Sequence, residues 1–328
     1  MNCRLPVLAA IAALAATPVL ADGNEKISGI LFGDYYYVAS ADDDVGTPEK
    51  RNAFQFRRVY FTYDRVVTDR FDIRIRLEAN DKGFGSRDKM TPFVKHVYLK
   101  WKSVFGGDLY IGESGTPTWA TSEKLWGYRS VERALLDLFK VGGSSADIGL
   151  GWKHSSGDLR YHLMVANGPG QRPENDNGKK FYGSLGIRPG DGVAEIYGDF
   201  DMRPGGRDEI TLKAVLGMDT DGYRVGVEPF LRIIREASVA EPGEDSTLLG
   251  VSMFATLPVG PNHKLFGRVD AFNNEDATDL FLLAGVDFEI DKELSVIPNL
   301  HIMMPKAISS SESPDPVIQA RVTGSFKF

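Results

Sequence analysis

The chain has 328 residues, of which 42% are hydrophobic and 25% charged, and its formal net charge is −7. Because proteins that bind nucleic acids neutralise phosphates with an excess of basic residues, this acidic balance excludes a nucleic-acid partner. With a mean hydropathy of −0.20 and one apolar run near its start, the chain also lacks the segments of a helical membrane bundle.

Residues 1–21 have the features of a secretory signal peptide. Arg4 precedes an apolar run from Leu5 to Ala16, and Val19-Leu20-Ala21 provides a cleavage site after Ala21. The run is shorter than the roughly 20 apolar residues of a membrane-spanning helix. Cleavage would remove Cys3, the single cysteine, and leave 37 of the 38 basic residues against 45 acidic ones, a net charge of −8. We therefore expect an exported chain, 22–328, without disulfides.

Alternation of apolar and polar residues is cleanest in the segment Phe71–Asn80. One face carries Phe71, Ile73, Ile75, Leu77 and Ala79, and the other carries Asp72, Arg74, Arg76, Glu78 and Asn80. A fully charged face cannot belong to a dry protein core, because each unpaired buried ion costs several kcal/mol. The pattern predicts one sheet with an apolar medium on one side and water on the other.

About sixteen such segments follow one another, the even number typical of bacterial single-chain barrels. Short connections with Asp-Gly or Pro-Gly sequences alternate with long polar ones such as 41–51, 168–179, 235–246 and 304–315. Nothing remains for a second domain, so the prediction is an all-β fold, a transmembrane antiparallel β-barrel over 22–328. Pro229 and Pro298 lie inside predicted strands, where we expect bulges or register errors.

The longest connection, 114–146, contains a stretch from Ser122 to Phe139 with helical spacing, which Ser122 can cap. On such a helix Arg129 and Arg133 lie one turn apart, among the mixed charges of Glu123 and Glu132. A helix packed on an outer loop with a solvated charged face is the alternative interpretation.

Basic side chains recur on the wet face of the predicted strands. Guanidinium groups that line a narrow passage attract anions, which is one hypothesis for this chain. Acidic residues on the same face would instead pair with them and give a wall of mixed charge. The pore-lining candidates are Arg58, Arg74, Arg76, Glu78, Arg160, Arg224, Arg268 and Arg321.

The segments FQFRRVYFTYD, FDIRIRLEAND, FVKHVYLKW, LYIGESGTPTW, EKLWGYRSVE and the terminal VTGSFKF resemble Gram-negative outer-membrane porins of the phosphate-selective porin O/P-like group. The resemblance implies a sixteen-stranded homotrimeric channel embedded in outer-membrane lipid and lipopolysaccharide. It implies that the third extracellular loop, 114–146, folds into the lumen and forms the constriction with Arg129, Arg133, Glu123 and Glu132. It also implies that Phe328, with Phe326, is the signal for the barrel-assembly machinery.

The function expected from these features is passive diffusion of small hydrophilic solutes or ions. We do not extend the phosphate selectivity of that porin group to this chain, because acidic residues lie among its basic ones. An outer-membrane barrel enzyme and a secreted β-rich adhesin are the alternatives.

The chain has neither G-x-S-x-G nor H-E-x-x-H and its histidines are scattered, so we expect no enzyme activity, catalytic residue, cofactor or metal site. Asp42, Asp43 and Asp44 could hold a divalent ion or bridge lipopolysaccharide, or form a solvated loop.

Overall fold

The computed structural model describes residues 23–41, 48–81, 89–236, 241, 243–275, 277–305 and 314–328. The predicted signal peptide, 1–21, and the Asp42–Asp44 triplet lie outside these residues. Sixteen strands dominate the described chain: β1 Glu25–Ser40, β2 Asn52–Thr68, β3 Phe71–Asn80, β4 Phe93–Val104, β5 Gly107–Gly115, β6 Ala146–Ser156, β7 Leu159–Ala166, β8 Lys180–Ile187, β9 Gly192–Asp201, β10 Glu209–Asp219, β11 Arg224–Ile234, β12 Ser246–Gly260, β13 His263–Asn274, β14 Ala277–Glu289, β15 Leu294–Met304 and β16 Val317–Lys327.

The strands form one closed antiparallel barrel. Each strand pairs with its neighbours in the sequence, and β1 pairs with β16 to close the ring. Every predicted segment overlaps one of these strands, so the predicted barrel and its strand number are confirmed. A closed ring leaves no free sheet edge, and the two-sheet sandwich of a soluble adhesin is not the fold of this chain.

The two faces of the barrel differ in polarity as the alternation predicts. On β3, Ile75 and Leu77 face outward and are 42% and 37% exposed, whereas Glu78 faces inward and is buried. Large apolar side chains cover the outer face elsewhere too, for example Ile196 on β9 and Leu212 on β10. A soluble surface rarely carries a continuous apolar band of this kind, whereas hydrocarbon requires it.

The connections divide the barrel into two ends. Short connections such as 69–70, 105–106, 157–158 and 261–262 lie at the turn end, and long ones such as 116–145 and 167–179 lie at the loop end. The connection between β13 and β14 is the exception, because it is short although it belongs to the loop end.

The two strand prolines cause gaps in pairing but no change of register. Pro229 pairs with Val251 in an unbroken β11–β12 ladder, and Pro298 pairs with Val322 in an unbroken β15–β16 ladder. On the other side of each strand the pairing skips the residues around the proline and resumes in the same register. The expected bulges are therefore wrong at these positions: the missing N–H removes ladder bonds on one side only.

The last residue completes the seam between β1 and β16. The backbone N–H of Gly29 donates to the carbonyl oxygen of Phe328 (2.9 Å), and the N–H of Phe328 donates to the oxygen of Gly29 (3.1 Å). A side chain at Gly29 would overlap the ring of Phe328. Phe326 and Phe328 lie on the outer face with their ring centroids 6.2 Å apart.

Candidate functional site

Residues 116–145, the connection between β5 and β6, lie inside the barrel, and we call this segment the inner loop. It contains two short helices, α1 Ala120–Trp126 and α2 Leu135–Leu138. Leu125 and Trp126 are fully buried against the inward side chains of Phe254 and Phe266. Apolar packing thus holds the loop against the wall formed by β10–β15.

The predicted continuous helix from Ser122 to Phe139 is wrong, because α1 ends at Trp126 and Gly127 is its C-cap. Gly127 has φ of 78° and its N–H donates to the oxygen of Glu123, as is common at a helix C-terminus. Ser122 does not cap a helix but lies inside α1, where its hydroxyl accepts a hydrogen bond from Nζ of Lys213 (2.7 Å). Lys213 Nζ also donates to the oxygen of Thr118 (2.6 Å).

Arg57 points into the barrel because β2 contains a β-bulge. Phe32 pairs with Arg58 and the next residue of β1, Gly33, pairs with Phe56, so Arg57 is the extra residue. Without the bulge, alternation would place Arg57 on the apolar outer face. The sequence contains a signal for this feature: the apolar positions change from even numbers at Phe54 and Phe56 to odd numbers from Val59 onward.

Lys95 enters the barrel in the same way. Arg76 on β3 pairs with His96 on β4, and the next residue, Leu77, pairs with Val94. Lys95 is therefore the extra residue of a bulge in β4. Its Nζ lies 3.0 Å from Oε2 of Glu78. It also donates to the hydroxyl of Ser145 (2.6 Å) at the end of the inner loop. Arg57 and Lys95 are not among the predicted pore-lining residues.

Arg57 connects the wall to the tip of the inner loop. Its Nη1 donates to the carbonyl oxygens of Ser130 (3.0 Å) and Val131. The guanidinium also lies 3.4 Å from Oδ2 of Asp34 and 3.6 Å from Oε1 of Glu132. One cation thus serves two carboxylates and two backbone oxygens.

Glu132 is buried at the centre of this contact. Its second oxygen lies 3.5 Å from Nδ1 of His301 and 3.9 Å from Nη1 of Arg321. Burial alone would raise the pKa of Glu132, but the surrounding positive charges, with Arg57 the strongest, hold its pKa well below the usual carboxyl range. Glu132 therefore stays ionised and binds the loop to β2, β15 and β16.

The other predicted constriction residues pair within the inner loop. Arg129 Nε lies 2.9 Å from Oε1 of Glu123, and its Nη2 lies 3.2 Å from Asp137. Arg133 Nη1 lies 3.8 Å from Asp137. Arg129 and Arg133 are not one helical turn apart, because both lie between α1 and α2. Of the four predicted residues, only Glu132 makes ion pairs with the barrel wall, among the residues that the structure describes.

Most predicted pore-lining residues face inward and are paired. Arg58 lies 3.3 Å from Glu78, and Arg74 lies 2.6 Å from Asp64. Arg224 lies 2.8 Å from Asp219, and Arg268 Nε donates to Asp270 (2.9 Å).

Arg321 is paired too, because it lies 3.8 Å from Asp34 and 3.9 Å from Glu132. The other two predicted arginines have different surroundings. Arg76 donates from Nε to the hydroxyl of Thr62 (2.8 Å) instead of to a carboxylate. Arg160 is exposed near the turn end. The interior is thus a wall of mixed charge with a few cations that lack an acidic partner among the described residues.

Two further properties concern the described part of the chain. Within it, no group of three or more His, Cys, Asp and Glu side chains is arranged to hold a metal ion. None of its helices is long and apolar enough to cross a membrane.

Comparisons with known proteins identify the fold. No family model and no curated protein sequence matches the chain. The anion-selective porin from Comamonas acidovorans matches with a TM-score of 0.68 at 14% identity, over 93% of this chain and 99% of that one. The outer membrane channel DcaP of Acinetobacter baumannii gives 0.64 at 10% identity, over 94% and 99%. OmpT, an outer membrane protein of Vibrio cholerae in its trimer form, gives 0.61 at 11%, over 93% and 99%. The chain therefore has the closed-barrel fold of these bacterial outer-membrane proteins.

Proposed function

We propose that this protein is a porin of the Gram-negative outer membrane, a water-filled channel for passive diffusion of small hydrophilic solutes or ions. One observation carries the proposal: a closed barrel with an apolar exterior and a charged interior holds a loop across its lumen. Inward cations without a carboxylate partner among the described residues, such as Arg76 and Lys153, require water, because a buried charge without water or a partner is too costly. The porin and channel among the matching structures support the same function.

The inner loop touches the wall at β2, β15 and β16, where Glu132 faces Arg57 and Arg321. We propose that the narrow part of the channel runs beside this contact. Glu123, Arg129 and Arg133 contribute less to the field in the passage, because their charges are paired with one another or with Asp137. Phosphate selectivity finds no support in this mixture of charges.

Anion preference is part of the proposal. Arg76, on β3, and Lys153, on β6, face the lumen and make no ion pair among the described residues. Cations of this kind raise the local concentration of anions in a low-dielectric passage. One of the matching structures is an anion-selective porin, which agrees with this preference.

The proposed surroundings follow from the fold. Outer-membrane lipid and lipopolysaccharide would cover the apolar band, and the barrel would assemble as a homotrimer, as in the trimer form of the Vibrio protein. Phe326 and Phe328 would be read by the barrel-assembly machinery before the seam closes.

Planar-bilayer recording tests the function. Purified protein should insert in equal conductance steps. Under a salt gradient, the reversal potential should have the sign of an anion-selective channel. Replacing both Arg76 and Lys153 with Gln should move that potential toward cations, whereas Lys264→Gln, which removes a cation paired with Glu289 at 2.5 Å, should move it less. Protein that stays monodisperse without detergent and never conducts would rule out the porin; an unchanged potential in the double variant would rule out the anion preference.

A further inference from the structure

The turn-end half of the lumen contains a cavity away from the inner loop. Its volume is about 470 Å³, and Arg74, Tyr98, Lys100, Tyr110 and Lys153 line it from four consecutive strands, β3–β6. The carboxylates of Asp64 and Asp72 line it as well. A solute that passes the constriction would meet this wall next.

The cations on this wall are not equally compensated. Arg74 makes two hydrogen bonds to Asp64, of 2.6 and 2.9 Å, and Lys100 lies 3.1 Å from Asp108 and 3.7 Å from Asp72. Lys153 has no carboxylate partner among the described residues; its Nζ lies 4.4 Å from the centre of the Tyr110 ring. Arg76, the next inward residue after Arg74, lies 5.4 Å from the Tyr60 ring. The wall therefore carries a surplus of positive charge.

Aromatic rings are interleaved with these cations. The centroids of Tyr98 and Tyr110 are 5.2 Å apart with the ring planes at 63°, so the two rings make an edge contact. Arg74 Cζ lies 6.0 Å from the Tyr98 centroid. Neither tyrosine is fully buried, and both line the cavity.

We propose that Arg74, Tyr98, Tyr110 and Lys153 form a binding subsite for small aromatic carboxylates of the benzoate type. The carboxylate would pair with Lys153, and the aromatic ring of the solute would pack against Tyr98 and Tyr110. A carboxylate without a ring would use the cations alone, and a neutral aromatic compound would use the tyrosines alone. The inference deepens the proposed channel function and rests on it.

Three probes of similar size separate the contribution of the aromatic ring from that of the negative charge. Benzoate has the ring and the charge, cyclohexanecarboxylate has the charge without an aromatic ring, and benzamide has the ring without the charge. Added to a single channel in KCl, benzoate should block the current for events about three- to tenfold longer than either of the others, the range expected from one added aromatic contact. Equal dwell times for benzoate and cyclohexanecarboxylate would overturn the subsite.

Variants locate the subsite. Tyr98→Leu should reduce the benzoate dwell time to that of cyclohexanecarboxylate, Tyr98→Phe should retain it, and Lys153→Gln should shorten it for both carboxylates. Lys264→Gln, an inward cation near the same end on the opposite wall, is the matched control and should leave all dwell times unchanged. If Tyr98→Leu keeps the longer benzoate events, the assignment to this wall is wrong.

Equilibrium dialysis of labelled benzoate against the detergent-solubilised protein separates this inference from the channel function. Protein that binds benzoate more tightly than cyclohexanecarboxylate but does not conduct would retain the subsite and refute the porin. Protein that conducts KCl but binds the two acids equally would retain the porin and refute the subsite.

Discussion

Arg57 and Lys95 lie inside the barrel because each is the extra residue of a β-bulge. On the outer face of a membrane barrel, a basic side chain costs up to about 4 kcal/mol near the bilayer midplane. Turning inward avoids this cost and provides a cation for the inner loop. Bulges next to functional sites commonly redirect a side chain in this way.

Replacing Arg57 with Gln should loosen the inner loop while the barrel still folds. The change removes the donor to Ser130 and Val131 and leaves Asp34 and Glu132 with less positive charge around them. Removing one partner of a buried ion pair costs roughly 3–5 kcal/mol. We expect more open-channel current noise and a less uniform conductance in bilayer recordings.

The control for this variant is Arg65→Gln on the same strand. The Arg65 side chain is 52% exposed and lies 3.4 Å from Glu25, and exposed pairs contribute little. Its noise should equal that of the unchanged protein. If the two variants behave alike, Arg57 does not hold the loop.

The faces of the strands could be predicted from the sequence, but the contacts of single charged residues could not. Alternation is strong because lipid-like and aqueous surroundings select opposite side chains, so even the face of Arg321 on β16 was predictable. Arg57 and Lys95 required the position of a bulge, which shows in the sequence only as a change from even to odd apolar positions. Which cation pairs with Glu132 depends on strands far apart in the chain, and no local pattern contains that information.

The inner loop combines an apolar attachment with an ionic one. On the β10–β15 side, Leu125 and Trp126 pack on Phe254 and Phe266. On the opposite side, Glu132 and the backbone at Val131 contact Arg57. The loop crosses the lumen between these two attachments. The sequence predicted helical character here but not the break, although Gly127 in the predicted helix was a signal for it.

Acidification should release the ionic attachment only at low pH. The pKa of Glu132 is lowered below its unfolded value of about 4.3, so its contribution to stability is complete above that value and is lost as the pH falls through the lower, folded pKa. Current noise should therefore stay constant between about pH 7 and pH 5 and increase only below the usual carboxyl range.

Glu132→Gln should show the low-pH behaviour already at neutral pH, because the amide lacks the charge that Arg57 and Arg321 bind. Glu123→Gln is the matched control in the same loop, since Glu123 pairs with Arg129 and not with the wall. An increase in noise between pH 7 and pH 5 in the unchanged protein, with no difference between the two variants, would contradict the role of Glu132.

The whole barrel depends on one seam, because, within the residues that the structure describes, β1 and β16 are the only neighbouring strands that are not consecutive in sequence. Every other pair can form from a local hairpin, whereas this pair joins the two ends of the sheet. Closure entropy grows with chain length, so the contacts of the seam must offset a cost that the hairpins do not have. Phe328 supplies two backbone hydrogen bonds and a ring over Gly29 at this place.

Gly29→Val should therefore hinder closure of the barrel. A Cβ at position 29 would overlap the Phe328 ring and lie 2.8 Å from the backbone oxygen of Tyr60, so the ring must leave and the ladder must shift. We expect a lower yield of folded protein in detergent, measured by the mobility difference between heated and unheated samples in electrophoresis.

Gly324→Val provides a matched control: Gly324 lies on β16 in the same seam, and a Cβ there would meet no atom within 4 Å. Because valine favours strands, the control should fold at least as well as the unchanged protein. Equal yields for the two variants would mean that the packing of Phe328 on Gly29 does not contribute to closure.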